Sequence, residues 1–235
     1  MATLLNDPMT YAGGSLLGGQ GGWVKHPSYG GDMKIAAAGT YARLNSASTH
    51  CTLYNTVAVG DGDYLVSVDG STGANSTFNS DPTYTYVGTR ADPSADTCYL
   101  AELSVPGSIS AGTLTLYRLV AGTPTQVASV ANVGSPGGFG LTGYSIQATG
   151  TGVTVTVVVK HNGTTLITYN DNNAARIVAP GKPLIRGYYG AAPADGAVGP
   201  YFDSVTVTGT APPAVDLPPN VIRPSNAAIV RASRW

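Results

Sequence analysis

The chain has 235 residues, of which 31 are glycine and only 11% are charged. An average soluble domain has about 7% glycine and about 25% charged residues, so this chain has roughly twice the glycine and half the charge. Its formal net charge of -1 provides no basic field for phosphates, which argues against a nucleic-acid partner. Good helix formers are scarce while Thr and Val are plentiful, which excludes an all-helical protein.

Membrane and secretory segments are not predicted from the sequence. The apolar stretches are interrupted by threonine and fall far short of the roughly 18 residues that a membrane helix needs. The N-terminal residues 1–8 contain no basic region followed by an apolar one, so we expect no signal peptide.

Residues 1–40 are rich in glycine and loop-like, with apolar anchors such as Leu16 and Trp23. From residue 41 onward, short runs with period-2 alternation recur between Gly, Asp, Asn or Pro residues, which is typical of β-strands. Twelve strands are predicted, near 41–45, 51–59, 63–69, 83–90, 98–105, 113–120, 125–131, 144–149, 153–160, 164–169, 183–189 and 201–208. We therefore expect an all-β domain over 41–210, an antiparallel two-sheet β-sandwich or jelly roll, with 1–40 as a glycine-rich segment before it.

Two hairpins are predicted within this series. Val153–Lys160 alternates strictly, with Val153, Val155, Val157 and Val159 on one face, and the Asn162-Gly163 dipeptide that follows favours a tight turn because both residues tolerate positive φ. A second turn is expected at 121–124, between two further alternating runs.

Residues 211–235 form a Pro-rich C-terminal segment that is expected to leave the sandwich as an extended arm. Fully extended, its 25 residues span about 80 Å. A disordered terminus and an arm that lies on a neighbouring subunit are both compatible with this composition. The apolar and basic side chains favour the arm, and its candidate assembly residues are Ile222, Arg223, Ile229, Val230, Arg231, Arg234 and Trp235.

The chain has two cysteines, Cys51 and Cys98. Two buried free thiols are the ordinary state in a reducing cytosol, and a bridge between two strands is the alternative. Neither arrangement is a disulfide framework, and no C-x-x-C metal pair occurs.

Two oxygen-rich loops are the candidates for a bound ion. Asp61 and Asp63 flank a glycine, and Asp171 begins an Asp/Asn cluster with three asparagines around it. Such loops suit calcium, which prefers oxygen ligands, although turns use the same residues for their own backbone. Calcium is the one cofactor that the sequence suggests.

No catalytic set is visible in the sequence. Glycoside cleavage usually needs two carboxylates across the scissile bond, whereas Glu102 is the single glutamate and has no acidic neighbour on its strand. We expect Glu102 to face solvent. His26, His50 and His161 occupy loop or turn contexts and are expected to be solvated. The sequence therefore predicts a protein that is not an enzyme.

Tyrosine outnumbers phenylalanine by 14 to 3. Tyrosine is favoured where one end of the ring is apolar and the other is wet, as in sugar-binding sites and subunit interfaces. The candidate sugar contacts are Tyr84 and Tyr86, which share one face of a strand, and Tyr188 and Tyr189, which end a later one. An ordinary β-sheet surface is the alternative for these rings.

The order of motifs in the chain resembles the concanavalin A-like, laminin G-like jelly roll. The motifs are Tyr144–Ala148, Val153–Lys160, Asn162-Gly163, Tyr169–Asp171, Gly187–Gly190 and Phe202–Val207, together with Leu5–Asp7, Leu16 and Trp23 near the start. The resemblance covers about residues 4–209 and implies that the first segment pairs near the last strand. Hydrolytic relatives carry a Glu-x-Asp-x-x-Glu strand, which this chain lacks.

Such modules, when they lack a signal peptide and end in an extended tail, resemble structural proteins of tailed bacteriophages. The resemblance implies a non-enzymatic virion protein, made in the host cytoplasm, that decorates the capsid or forms part of the tail or a fibre. Its partners would be major capsid or tail proteins and further copies of itself, for example in a trimer. A lectin-like module for cell-surface glycan is the alternative, and a glycoside hydrolase or lyase is the third function considered.

Overall fold

The computed structural model describes residues 1–46, 49–71, 83–105, 111–133, 143–190 and 200–212. These residues form fifteen β-strands, and none of them lies in a helix. The described part accordingly offers no helix that is long and apolar enough to cross a membrane. The strands are β1 Ala2–Asp7, β2 Trp23–Lys25, β3 Met33–Ile35, β4 Ala42–Leu44, β5 Cys51–Asn55, β6 Tyr64–Ser71, β7 Thr83–Asp92, β8 Thr97–Val105, β9 Gly112–Val120, β10 Thr123–Val133, β11 Tyr144–Thr149, β12 Val155–His161, β13 Thr164–Asp171, β14 Lys182–Tyr189 and β15 Tyr201–Gly209.

The strands form two antiparallel sheets. The eight-stranded sheet has the order β13-β12-β11-β6-β15-β4-β3, and β1 pairs with β15 beside β4. The seven-stranded sheet has the order β10-β9-β8-β7-β14-β5-β2. This arrangement confirms the predicted all-β, two-sheet sandwich, and all twelve predicted strands are present within a few residues of their expected bounds.

The glycine-rich N-terminal segment contributes three short strands, β1, β2 and β3, where the sequence indicated mainly loop. A buried carboxylate holds this segment together. Asp7 accepts hydrogen bonds from the Trp23 indole Nε1 at 2.7 Å, from the Tyr11 hydroxyl at 2.6 Å and from the Met9 backbone N–H at 2.8 Å. Because these bonds satisfy both carboxylate oxygens, the charge is tolerated beside the core.

The core lies between the sheets and follows the period-2 alternation of the strands. In β12, Val155, Val157 and Val159 are fully buried. Val153, which the alternation placed on the same face, is 80% exposed and precedes the strand. The chain bends at residues 151–153, so the alternation there continues past the end of the pairing.

Both predicted hairpins are confirmed by their turn geometry. Asn162 and Gly163 have φ of 48° and 73° between β12 and β13, and Ala121 and Gly122 have φ of 48° and 76° between β9 and β10. Two consecutive positive φ values are the signature of a type I′ turn, whose twist matches that of the paired strands.

The two cysteines are free. Cys51 is buried in the core between the sheets, whereas Cys98 packs with Leu100 and Leu119 on the other face of the seven-stranded sheet. Side chains on opposite faces of one sheet cannot be bridged, so the disulfide alternative is excluded. The candidate assembly residues of the C-terminal arm, from Ile222 to Trp235, lie outside the described residues.

Candidate functional site

A row of polar side chains crosses the face of the seven-stranded sheet that is turned away from the other sheet, here called the outer face. The strand register aligns Thr115 of β9, Glu102 of β8, Tyr86 of β7, Arg186 of β14 and Thr52 of β5. Their sequence neighbours, including Ala101, Val87 and Ile185, lie in the core. Since successive side chains of a strand point to opposite faces, the row faces outward.

A cleft of about 280 Å³ lies over this row. Its polar part is lined by Glu102, Arg186 and His50, with the rings of Tyr29, Tyr86 and Tyr117 around them. Its apolar part is lined by Leu100, Leu119 and Pro124. A small concave site with convergent polar groups and aromatic walls is the arrangement expected of a ligand site.

Glu102 is half-buried in this cleft rather than solvent-facing, so the sequence-based expectation for it was wrong. Its carboxylate is hydrogen-bonded to the Tyr86 hydroxyl. Burial raises the pKa of Glu102 above its usual range, and the Tyr86 hydrogen bond and the Arg186 charge act against that shift. Burial and the neighbouring carboxylate also raise the pKa of Tyr86, so its hydroxyl stays protonated and donates to Glu102.

Arg186 is the cation of the site and is only 6% exposed. Its Nε donates to Thr52 Oγ1 at 2.9 Å, and its Cζ lies 4.1 Å from the centroid of the Tyr29 ring and 5.5 Å from that of Tyr86. Guanidinium groups bind aromatic faces in this manner. The Nη2 atom is buried and has no hydrogen-bond partner among the described residues.

Tyr29 reaches the cleft on a loop that Asp96 holds in place. The Tyr29 hydroxyl donates to both carboxylate oxygens of Asp96, at 3.3 and 3.2 Å, and His26 Nε2 lies 3.5 Å from Asp96 Oδ1. His26 Nδ1 accepts from the Ser28 N–H at 3.2 Å, and burial lowers the pKa of this histidine. His26 is 2% exposed, so the prediction that it is solvated was wrong.

His50 lies among the tyrosine rings at one end of the cleft. Its ring centroid is 4.9 Å from that of Tyr188, 5.8 Å from Tyr86 and 6.2 Å from Tyr29. Burial and the Arg186 charge lower the pKa of His50 to about 4, so it is neutral at physiological pH. Its buried Nδ1 has no hydrogen-bond partner among the described residues. His50 is thus part of the site and not the solvated residue that was expected.

Three of the four predicted tyrosines lie together on the outer face. Tyr84 and Tyr188 are directly paired on β7 and β14, with ring centroids 5.6 Å apart, and Tyr84 stacks on Tyr86 at 6.4 Å. Tyr189 is 1% exposed and lies in the core between the sheets. Because it follows Tyr188 in the same strand, it points to the other face, so its assignment as a sugar contact was wrong.

The expected calcium ligands are engaged with protein groups. Asp171 is fully buried and pairs with Arg118 Nη1 at 2.8 Å and with the Tyr99 hydroxyl at 2.8 Å. Asp63 accepts from Arg90 Nη2 at 3.0 Å, and Asp61 accepts from the Asp63 backbone N–H at 3.0 Å. The described residues hold no cluster of three or more His, Cys, Asp or Glu side chains that could bind a metal ion. Asp63 and Asp171 thus form ion pairs with Arg90 and Arg118.

The pH dependence of stability provides a test of the buried position of Glu102. A carboxyl group whose pKa is higher in the folded state than in the unfolded state binds its proton more tightly when the protein is folded. Ionisation of this group therefore lowers the free energy of unfolding as the pH rises from the unfolded-state pKa through the folded-state pKa. Glu102→Gln is therefore expected to gain Tm relative to the unmodified chain as the pH rises above about 4, the ordinary pKa of a glutamate. At the acidic end the two Tm values should converge, since both side chains are then neutral. Thermal unfolding across pH measures this difference, and a constant offset would contradict it.

No protein-family model and no curated protein sequence matches the chain. Solved structures do match by fold. A Bacillus subtilis protein of unknown function with a galectin-like fold is 14% identical, with 90% of this chain and 98% of that chain covered and a TM-score of 0.54. The Crh5 transglycosylase is 15% identical, with 90% of this chain and 86% of that chain covered and a TM-score of 0.53. The CBM2 module of the evolved Dit of Lactobacillus casei BL23 phage J-1 is 7% identical, with 87% of this chain and 94% of that chain covered and a TM-score of 0.51.

These similarities establish a galectin-like, concanavalin A-like β-sandwich fold. They also correct one sequence-based prediction. The prediction that the protein is not an enzyme was wrong, because a transglycosylase has the same fold over 90% of the chain. Low charge and a single glutamate were therefore insufficient grounds for excluding glycoside chemistry.

Proposed function

We propose that this chain is a bacteriophage virion protein that binds carbohydrate in its outer-face cleft. The observation that supports this function best is the row Glu102, Tyr86 and Arg186, which places a carboxylate and a guanidinium on either side of an aromatic ring. Both charged groups retain hydrogen-bonding capacity, and both line the cleft.

The chemistry of a sugar matches this row. A sugar hydroxyl is at once a donor and an acceptor, whereas an ionised carboxylate only accepts and a guanidinium only donates. Adjacent hydroxyls of one ring can therefore donate to Glu102 and accept from Arg186. The apolar C–H face of the same ring can pack on Tyr117 and the leucines beside it. A cleft of about 280 Å³ is small for a ligand site, which suits one sugar unit of a longer glycan.

The virion assignment is supported by similarity and by composition. A module of a phage protein has the same fold, and the low charge and Pro-rich arm resemble structural proteins of particles. We propose that the protein is attached to major capsid or tail proteins through residues 211–235 and assembles with further copies of itself, for example as a trimer. Interlocking arms in a closed symmetric oligomer would supply the buried area that a stable attachment needs.

Removing the Tyr117 ring is expected to weaken glycan binding by roughly tenfold or more, since an aromatic contact is worth about 1 kcal/mol beyond its buried area. Tyr117→Ala and the unmodified chain are compared on a glycan array and, for the glycans that bind, by calorimetry. Tyr41→Ala is the matched control, because it removes a ring of the Tyr41–Tyr201 pair, which belongs to the other sheet.

Equal losses in Tyr117→Ala and Tyr41→Ala, or an array with no signal for either the free or the assembled chain, would contradict carbohydrate binding in the cleft. Analysis of the same incubations for new reducing ends determines whether the bound glycan is also cleaved.

Deletion of residues 211–235 is expected to abolish incorporation into particles while leaving the sandwich folded, because both sheets are complete before residue 211. Particles assembled with the full chain or with the truncated chain are purified and compared by mass spectrometry. Thermal unfolding of the truncated chain is the control for folding. A truncated chain that is incorporated at full occupancy would refute attachment through the arm.

A further inference from the structure

Carboxylates outnumber cations among the charged groups in and beside the cleft. Arg186 and Glu102 line the cleft, and Asp96 accepts a hydrogen bond from the hydroxyl of Tyr29, whose ring Arg186 contacts. The two neighbouring histidines add no positive charge at neutral pH, since burial lowers the pKa of both His26 and His50. The one cation, Arg186, therefore has the Glu102 carboxylate beside it in the cleft and the Asp96 carboxylate close to the cleft.

We propose, on the basis of the proposed carbohydrate-binding function, that the cleft selects uncharged saccharides and that Glu102 is the residue that excludes acidic ones. Arg186 alone would favour an acidic sugar, because its guanidinium lines the cleft and pairs well with a carboxylate. Glu102 reverses this preference because it places a second negative charge in the same cleft.

The geometry makes this repulsion unavoidable for an acidic ring bound at Arg186. Glu102 and Arg186 lie on strands separated only by β7, so their backbones are about 9–10 Å apart. A sugar ring bound across Tyr86 contacts both ends of that span. Its carboxylate therefore lies within reach of the Glu102 charge in a half-buried site, where screening by solvent and salt is weak. Hydroxyl groups at the same positions meet no such penalty.

The specificity test uses matched pairs of immobilised oligosaccharides that differ only in oxidation at the sixth carbon: glucan with glucuronan, galactan with galacturonan, and mannan with mannuronan. We expect the unmodified chain to bind at least one neutral member about tenfold or more tightly than its acidic counterpart. Glu102→Gln is expected to bring that ratio close to one or to reverse it. Glu102→Asp, which keeps the charge, is the matched control and should retain the neutral preference.

Equal or tighter binding of the acidic member by the unmodified chain would overturn this inference. A ratio that is unchanged in Glu102→Gln would overturn it as well, provided that Tm shows the variant to be folded. Failure of every neutral and every acidic member to bind the unmodified chain would instead overturn the proposed function, on which the inference rests.

Discussion

Replacement of Asp171 with alanine is expected to lower the free energy of unfolding by about 3–5 kcal/mol. Asp171 is fully buried and accepts from Arg118 Nη1 at 2.8 and 2.9 Å, from the Tyr99 hydroxyl at 2.8 Å and from the Asn173 N–H at 3.1 Å. The substitution leaves the Arg118 charge, 8% exposed, without its partner. Urea denaturation gives the loss in free energy, and the Tm should fall by roughly 6–20 °C.

Two further variants separate the buried ion pair from a general effect of losing an aspartate. Asp61→Ala removes an exposed carboxylate that accepts one backbone hydrogen bond, so it should cost no more than about 1 kcal/mol. The double variant Arg118→Met with Asp171→Ala should recover part of the loss, because it removes the uncompensated charge. An Asp171→Ala variant as stable as Asp61→Ala would contradict this role for Asp171.

Arg90→Met is expected to lower the free energy of unfolding by about 3 kcal/mol, since buried acceptors that lose their donor cost about 1–3 kcal/mol each. Arg90 is only 1% exposed as a whole residue. Its side chain donates to three carbonyls: Nε to Gly62 at 3.2 Å, Nη1 to Ile177 at 2.8 Å and Nη2 to Gly150 at 2.8 Å. The Arg90 side chain therefore links three loops that strand pairing does not join: the loop before β6, the loop between β11 and β12, and the loop between β13 and β14.

Hydrogen exchange distinguishes this local effect from global destabilisation. Amides around residues 62, 150 and 177 should exchange faster in Arg90→Met than amides in the central strands. Arg176→Met is the matched control, because Arg176 donates to the Gly152 and Asn173 carbonyls at the surface and its loss should cost less than about 1 kcal/mol. Equal destabilisation by both substitutions would contradict the proposed role of Arg90.

Local pattern accounts for the strands and turns that were predicted correctly. Alternation in segments such as Val155–His161 and a dipeptide such as Asn162-Gly163 act within a few residues, so their conformations do not depend on distant partners. Without knowledge of the partner strands, the same alternation does not indicate which face of a strand is buried in the core. Tyr188 and Tyr189 illustrate this limit, since only the packing of β14 shows that the second of them is in the core.

The site could not be predicted because its residues come from distant parts of the chain. Glu102 has an ordinary strand context and no acidic neighbour, and only the pairing of β8 with β7 brings it to Tyr86. Arg186 meets Tyr86 because β14 pairs with β7, although 100 positions separate the two residues. The predictions for His26 and His50 were wrong for the same reason, since a loop context does not reveal which residues pack over the loop.

The amino-acid pattern alone specifies an all-β chain of short strands and tight turns. These properties follow from local conformational preference and from composition. The order of the strands and their register are set by long-range hydrogen bonding and by burial of one face of each sheet. Those pairings bring one glutamate, one arginine and several aromatic rings into a single cleft, and they bury Asp171, which resembled a metal ligand, beside Arg118.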